Sequence, residues 1–238
     1  MNYPLGKVYH PVSAKSIMAT ITPTTIPDDW TVADMLVRLG GVSPKRILMK
    51  PTPGDATEED LVAVHARSGR ICELIDGVLV EKIMGAPEAL LAGFILHLFW
   101  NYLEIHDLGI VLAPDGLLRI LGRQVRAPDV SFIRWERFVG RQVPREQIFP
   151  VAPDLAIEIL SPGNTKAEMS RKLRDYFTSG VRLVWYIDPD TRTAWAYTAE
   201  DRGIQFGAGE VLAAGDVLPG FELSLATLFA KLDREGLK

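Results

Sequence analysis

Apolar and polar positions alternate most sharply just after Pro153. Leu155, Ile157 and Ile159 lie on one side of an extended chain, and Ala156, Glu158 and Leu160 on the other, between prolines at 153 and 162. So short and apolar a run reads as a strand buried on both faces. The period then changes. Thr165 and Glu168 are spaced as a capping box, and Met169, Leu173, Tyr176 and Phe177 recur at helical spacing until Gly180. Residues 181–187 form another apolar strand, closed by Asp188-Pro189. Residues 194–198 and 203–206 read as antiparallel edge strands, and a short last helix is expected around 225–232.

Upstream, Val32, Met35, Leu36 and Leu39 predict a helix over 30–39, stopped by Gly40-Gly41, and 47–49 reads as a short strand. The acidic run 55–60 opens a second helix, which carries His65. Residues 73–80 form a hairpin about Asp76-Gly77. From Pro87 to about His106 runs a helix apolar on almost every face, expected to be covered on most sides, with His97 as a core histidine. Residues 110–113 and 117–120 flank Asp115-Gly116 and predict a second hairpin, whose sheet 125–133 continues. The polar, basic stretch 134–150 reads as a mobile loop. Residues 1–26 lack periodicity and read as a flexible leader, leaving 27–238 as one domain. The element order implies an α/β fold, a mixed β-sheet flanked by helices with antiparallel hairpins.

With 238 residues, 47% of them hydrophobic, the chain can bury one sizeable core. A formal net charge of -4 requires any nucleic-acid contact to come from a local basic surface. The single cysteine, Cys72, excludes an internal disulfide framework and a cysteine zinc cluster. The longest apolar run, 89–100, is broken by His97 and is too short to span a membrane. Lys7, His10 and Lys15 interrupt the start before a signal-peptide core can form, so a soluble cytoplasmic protein is expected.

Glu158 changes this picture. A carboxylate inside an oily strand needs a cation, a metal ion or a proton. Asp129, on the preceding strand and sharing a face with Ala127 and Ser131, offers a second acid. Two carboxylates on neighbouring strands suit a hard divalent cation, which magnesium completes with water and phosphate oxygens. They equally suit a glycosidase's acid pair. Lys172 lies at the edge of its helix's apolar stripe, able to reach inward, while Arg171, Arg174 and Asp175 point away. Glu73 and Glu88 are further acidic candidates, although Glu88 is also explained by its place in the first turn of a helix.

These residues carry a resemblance. Glu73-Leu74-Ile75-Asp76-Gly77, Arg126-Ala127-Pro128-Asp129-Val130, Pro153 to Pro162 with Glu158, then Lys172, Tyr176, Gly180, Trp185 and Asp188-Pro189 resemble, in that order, the Uma-type restriction endonuclease family of the PD-(D/E)XK nuclease superfamily. The resemblance spans roughly 30–229. It implies a restriction-endonuclease-like fold and hydrolysis of DNA phosphodiester bonds by a metal-activated water. The cofactor would be Mg2+, with Mn2+ as a substitute. Asp129 matches the motif aspartate and Glu158 the motif glutamate. The superfamily lysine two residues after that glutamate is replaced by Leu160, and Lys172 on the next helix takes its place, as in the Uma-type group. On this reading Asp129, Glu158 and Lys172 are catalytic, and Asp129 and Glu158 hold metal with Glu73 or Glu88. Arg126, Arg134, Lys166 and Arg171 are candidates for the DNA backbone, and Trp135 for a base. A homodimer is expected by analogy, because cutting two strands calls for two sites. The rival reading is a nuclease-like module that has lost activity and serves nucleic-acid binding or assembly.

Overall fold

The computed structural model describes residues 26–27, 29–122 and 124–233, so most of the expected leader lies outside the described residues. Two helices come first, α1 (Val32–Arg38) and α2 (Glu58–Ser68). Each opens on a threonine, Thr31 or Thr57, that exchanges hydrogen bonds with the aspartate three residues on. The hairpin β1 (Cys72–Ile75) and β2 (Val78–Glu81) turns at Asp76-Gly77 with φ of 50° and 75°, the left-handed pair a tight hairpin needs. Then follow α3 (Ala86–Ile105), β3 (Gly109–Leu112), β4 (Leu117–Leu121), β5 (Gln124–Arg126), β6 (Val130–Arg134), β7 (Ile148–Phe149) and β8 (Leu155–Ile159). The described residues end with α4 (Lys166–Thr178), β9 (Leu183–Asp188), β10 (Thr193–Ala199), β11 (Arg202–Phe206), β12 (Val211–Ala213), β13 (Glu222–Ser224) and α5 (Leu225–Phe229).

The larger sheet runs β11-β10-β9-β8-β6-β3, with β8 and β9 parallel and the other neighbours antiparallel. A second sheet runs β2-β1-β5-β4-β7. One face of the larger sheet, through Phe132, Ile157 and Trp185, packs on α3 and α5. Its other face, through Ala156, Val184 and Tyr186, packs on Met169, Leu173 and Tyr176 of α4, which also meet Leu118 and Ile120 of β4. α4 is thus wedged between the sheets.

Four expectations give way here. Asp115-Gly116 does not close a hairpin: β3 pairs with β6 in one sheet while β4 pairs with β5 and β7 in the other, so the turn carries the chain between sheets. Residues 125–133 are not one strand either. They break at Ala127-Pro128-Asp129, where proline has no N–H for a ladder, and pass from β5 to β6. Residues 134–150 hold two short 3-10 turns and β7 around a buried Phe138. α3 buries one apolar stripe, Leu91, Ala92, Ile95, Phe99 and Leu103, with Glu88 in its first turn; Leu90, Trp100 and Ile105 are 50%, 51% and 79% exposed, and His97 is exposed beside Asn101.

Gly77 carries a testable consequence. A Cβ there would lie 2.1 Å from the Gly54 carbonyl oxygen, while the Gly77 carbonyl accepts from the N–H groups of Gly54 and Ala56. Gly77→Ala is therefore expected to cost about 2 kcal/mol or more, a fall in Tm of roughly 4–8 °C, measured by thermal melting.

Candidate active site

Strand β8 places Glu158 on the α4 face of the larger sheet, and β6 pairs antiparallel with it, Val130 opposite Ile157 and Ser131 opposite Ala156. Continuing that register sets Asp129 opposite Glu158. The crossover at Pro128 delivers Asp129 to the mouth of β6, where its N–H donates to the Ile157 carbonyl at 2.9 Å. One of its carboxylate oxygens accepts from the Ile159 N–H at 2.6 Å. The other lies 2.8 Å from the Lys82 ammonium, which also donates to the carbonyls of Ala127 (2.6 Å) and Pro114 (3.1 Å).

On the α4 side, the Lys172 Nζ sits 3.0 Å from both Glu158 oxygens and 3.3 Å from Glu73 Oε1. Tyr176, one turn on, donates its hydroxyl to Glu158 Oε1. Glu73 enters from β1 and is held by Arg126 Nη1 at 2.8 Å and by the Ala127 N–H at 3.2 Å. Arg126 also donates through Nη2 to Asp175. Glu73, Asp129, Glu158 and Lys172 are all buried. The structure therefore brings together four of the residues singled out by the sequence.

Burial and the neighbouring charges compete in setting the proton affinities. Glu158 is lifted above its ordinary 4.5 by burial; Lys172 opposes that rise, and the Asp129 charge adds to it. Burial also acts to raise Glu73, but Lys172, Arg126 and Lys82 outweigh it and hold that carboxyl well below the usual range. Lys172, which burial alone would push down, is kept above its ordinary value by Glu158 and Glu73.

The remaining candidates fall elsewhere. Glu88 is buried in the first turn of α3 with Oε2 unpartnered, lying over Gly85; no hydrogen bond or ion pair joins it to Asp129 or Glu158 among the described residues. Arg126 is enclosed between two carboxylates. Arg171 is buried, 2.7 Å from Asp76, and donates to the Arg38 carbonyl. Neither cation is free for a phosphate: Arg126 is taken up by Glu73 and Asp175, and Arg171, on a helix buried on two sides, meets the hairpin sheet instead of solvent. Arg134 ends β6, at the opposite end of that strand from Asp129, beside Glu136. Lys166 is exposed at the start of α4. Glu168 does not close the expected capping box: Thr165 accepts from its N–H, and its carboxylate turns to Arg46 at 2.9 Å.

Lys82 was missed. A charged residue just after a strand is ordinarily a solvated strand end, and nothing in its neighbours signals otherwise.

The Uma2 family model, described as "Putative restriction endonuclease", matches residues 58–226, a span that includes β1, β6, β8 and α4. The chain belongs to the Uma2 family. Among solved structures, it is similar to "a putative nuclease belonging to DUF820" from Anabaena variabilis, with 23% sequence identity and a TM-score of 0.59. That alignment covers 68% of this chain and 90% of the other, and it shows that the two chains share a fold. No curated protein matches it. Among the described residues, no group of three or more His, Cys, Asp or Glu side chains is arranged to hold a metal ion, and no helix is long and apolar enough to cross a membrane.

Proposed function

We propose that this Uma2-family protein is a magnesium-dependent endonuclease that hydrolyses DNA phosphodiester bonds, with manganese able to substitute. The supporting observation is the pairing of Asp129 and Glu158 across adjacent strands, with the Lys172 ammonium 3.0 Å from Glu158. The donor chemistry fits magnesium, which needs one or two carboxylates and takes its other oxygens from water and phosphate. Bound there, the ion would activate water and neutralise charge on the phosphate.

The chain's own groups do the rest. Asp129 and Glu158 would hold the ion, and Glu73 supports Lys172 from below. The Ile159 N–H and Lys82 fix the Asp129 carboxylate. Lys172 would bring its positive charge to the place where the phosphate gains negative charge, and the Tyr176 hydroxyl, donating to Glu158, helps to fix that carboxylate. Arg126 and Asp175 are structural counter-ions behind this set.

The inactive-module reading draws support from a different observation. Both oxygens of Asp129 and both of Glu158 already have donors within the chain. Calorimetric titration with Mg2+ and Mn2+ separates the two. Wild type is expected to take up the ion and Glu158→Ala is not, and metal-dependent nicking of plasmid DNA should vanish with it. Equal heats from both proteins, with plasmid left intact, would favour the inactive module.

A further inference from the structure

On the same face of the larger sheet as Glu158, a cleft of about 540 Å³ opens beyond Leu160 and the start of α4. Its wall is aromatic. Trp195 and Tyr197 are two apart on β10 and so point to one face, their rings 16° from parallel with centroids 5.8 Å apart. Tyr186 meets Tyr197 edge-on at 5.4 Å. Opposite Tyr197 on β11 stands Gly203, and a Cβ there would lie 2.4 Å from the Tyr197 ring, so the ring rests where a side chain would otherwise stand. The pair is thus held in place before any ligand arrives, which lowers the ordering cost of stacking.

The register ties this wall to the acids. Trp195 pairs with Tyr186, and Tyr186 pairs with Glu158. The three form one row across β10, β9 and β8, so the Trp195 backbone lies about 10 Å, two strand spacings, from that of Glu158. Lys166 and Ser170, both exposed on α4, line the same cleft. Asp188 and the exposed Asp190 also line it; the Asp188 Oδ1 is turned into its own loop, accepting from the N–H groups of Asp190 and Thr191. Flat apolar ring faces beside an exposed lysine, in line with a phosphodiester-cutting set, match one ligand chemistry: a base with its phosphate. Trp135, the tryptophan that stood out in the sequence, follows the far end of β6 and is not part of this wall.

We propose that Trp195 and Tyr197 are a stacking platform for an unpaired nucleobase of the strand whose backbone reaches Glu158, with Lys166 on its phosphate. This deepens, and rests on, the nuclease reading. The rings are too close to admit a base between them, so the base lies against an outer ring face. Only a base out of the duplex stack can do so, which makes single-stranded or locally opened nucleic acid the preferred substrate.

The test uses the full chain in EDTA, where cutting cannot occur, with fluorescein-labelled oligothymidylate followed by anisotropy. Wild type is expected to bind and to show quenching of tryptophan emission. Trp195→Ala and Tyr197→Ala should each weaken binding about tenfold, while Tyr197→Phe, which keeps the ring, should not. If Trp195→Ala does not fold by circular dichroism, Gly203→Ala takes its place, since it displaces the Tyr197 ring without removing it. Binding that ignores both rings, or a blunt duplex competing as well as the single strand, overturns the platform. Plasmid nicking by wild type in Mn2+ is scored separately. Nicking with ring-independent binding overturns the platform alone, and ring-dependent binding without nicking overturns the nuclease reading alone.

Discussion

Arg126→Met is expected to destabilise the protein by about 3–5 kcal/mol, the cost of removing one partner from a buried ion pair. For a domain of this size that is a drop in Tm of roughly 6–20 °C, and against a total stability of about 5–15 kcal/mol it approaches unfolding. The side chain is 1% exposed and its guanidinium bridges Glu73 and Asp175. Methionine matches the length but leaves both acids short of a cation. Arg126→Lys is expected to recover little, because one ammonium cannot reach two carboxylates as a planar fork does. The pH dependence has a fixed sign. Glu73 is held below its ordinary 4.5, so its ion pairs contribute stability above that pH, and the contribution is lost as pH falls toward the folded value. The mutant's deficit should therefore be largest above about pH 5 and shrink in acid, as Glu73 takes up a proton more readily without Arg126. Urea melts of both proteins from pH 4 to 8 measure this, and a deficit that stays constant would remove Glu73 from the account.

That prediction rests on a residue whose role was misjudged from sequence, for a physical reason. Period and capping describe one element at a time. They located β8 and α4, and a carboxylate inside β8 has so few inexpensive explanations that Glu158 stood out unaided. They cannot say what covers a helix. α4 has one strongly apolar stripe, so Arg171 and Asp175 looked solvated, yet the second sheet buries them as an ion-pair layer with Arg126 and Asp76. The same limit explains Asp115-Gly116. A turn signal reports that the chain reverses, not which sheet receives the next strand, and β3 and β4 part company there. α3 erred in the opposite direction: its composition exceeds what its neighbours cover, and Leu90 and Trp100 remain in the open. Lys82 had no signature at all, since its partner Asp129 is brought to it only by the Pro128 crossover.

Lys172→Met is expected to lower the rate of metal-dependent plasmid nicking by about 10²–10³-fold, the usual loss when one preorganised charged donor is removed from a developing oxyanion. A simple packing defect would also slow the enzyme, so the informative readout is the pH profile. Glu158 must be ionised to hold a cation, and its carboxyl is lifted by burial and by the Asp129 charge against the pull of Lys172. Activity should therefore fall as pH drops through that raised value, giving an acid limb above the ordinary carboxylate range. Taking away Lys172 removes the strongest opposing charge, so the limb should move to still higher pH in Lys172→Met. No alkaline limb is expected from Lys172 in the wild type, because Glu158 and Glu73 hold its ammonium above its ordinary value. A rate that collapses while the acid limb stays in place would mean that Lys172 acts on the phosphate alone. A rate that hardly changes would return the lysine to an ordinary buried counter-ion and leave the two acids without their third partner.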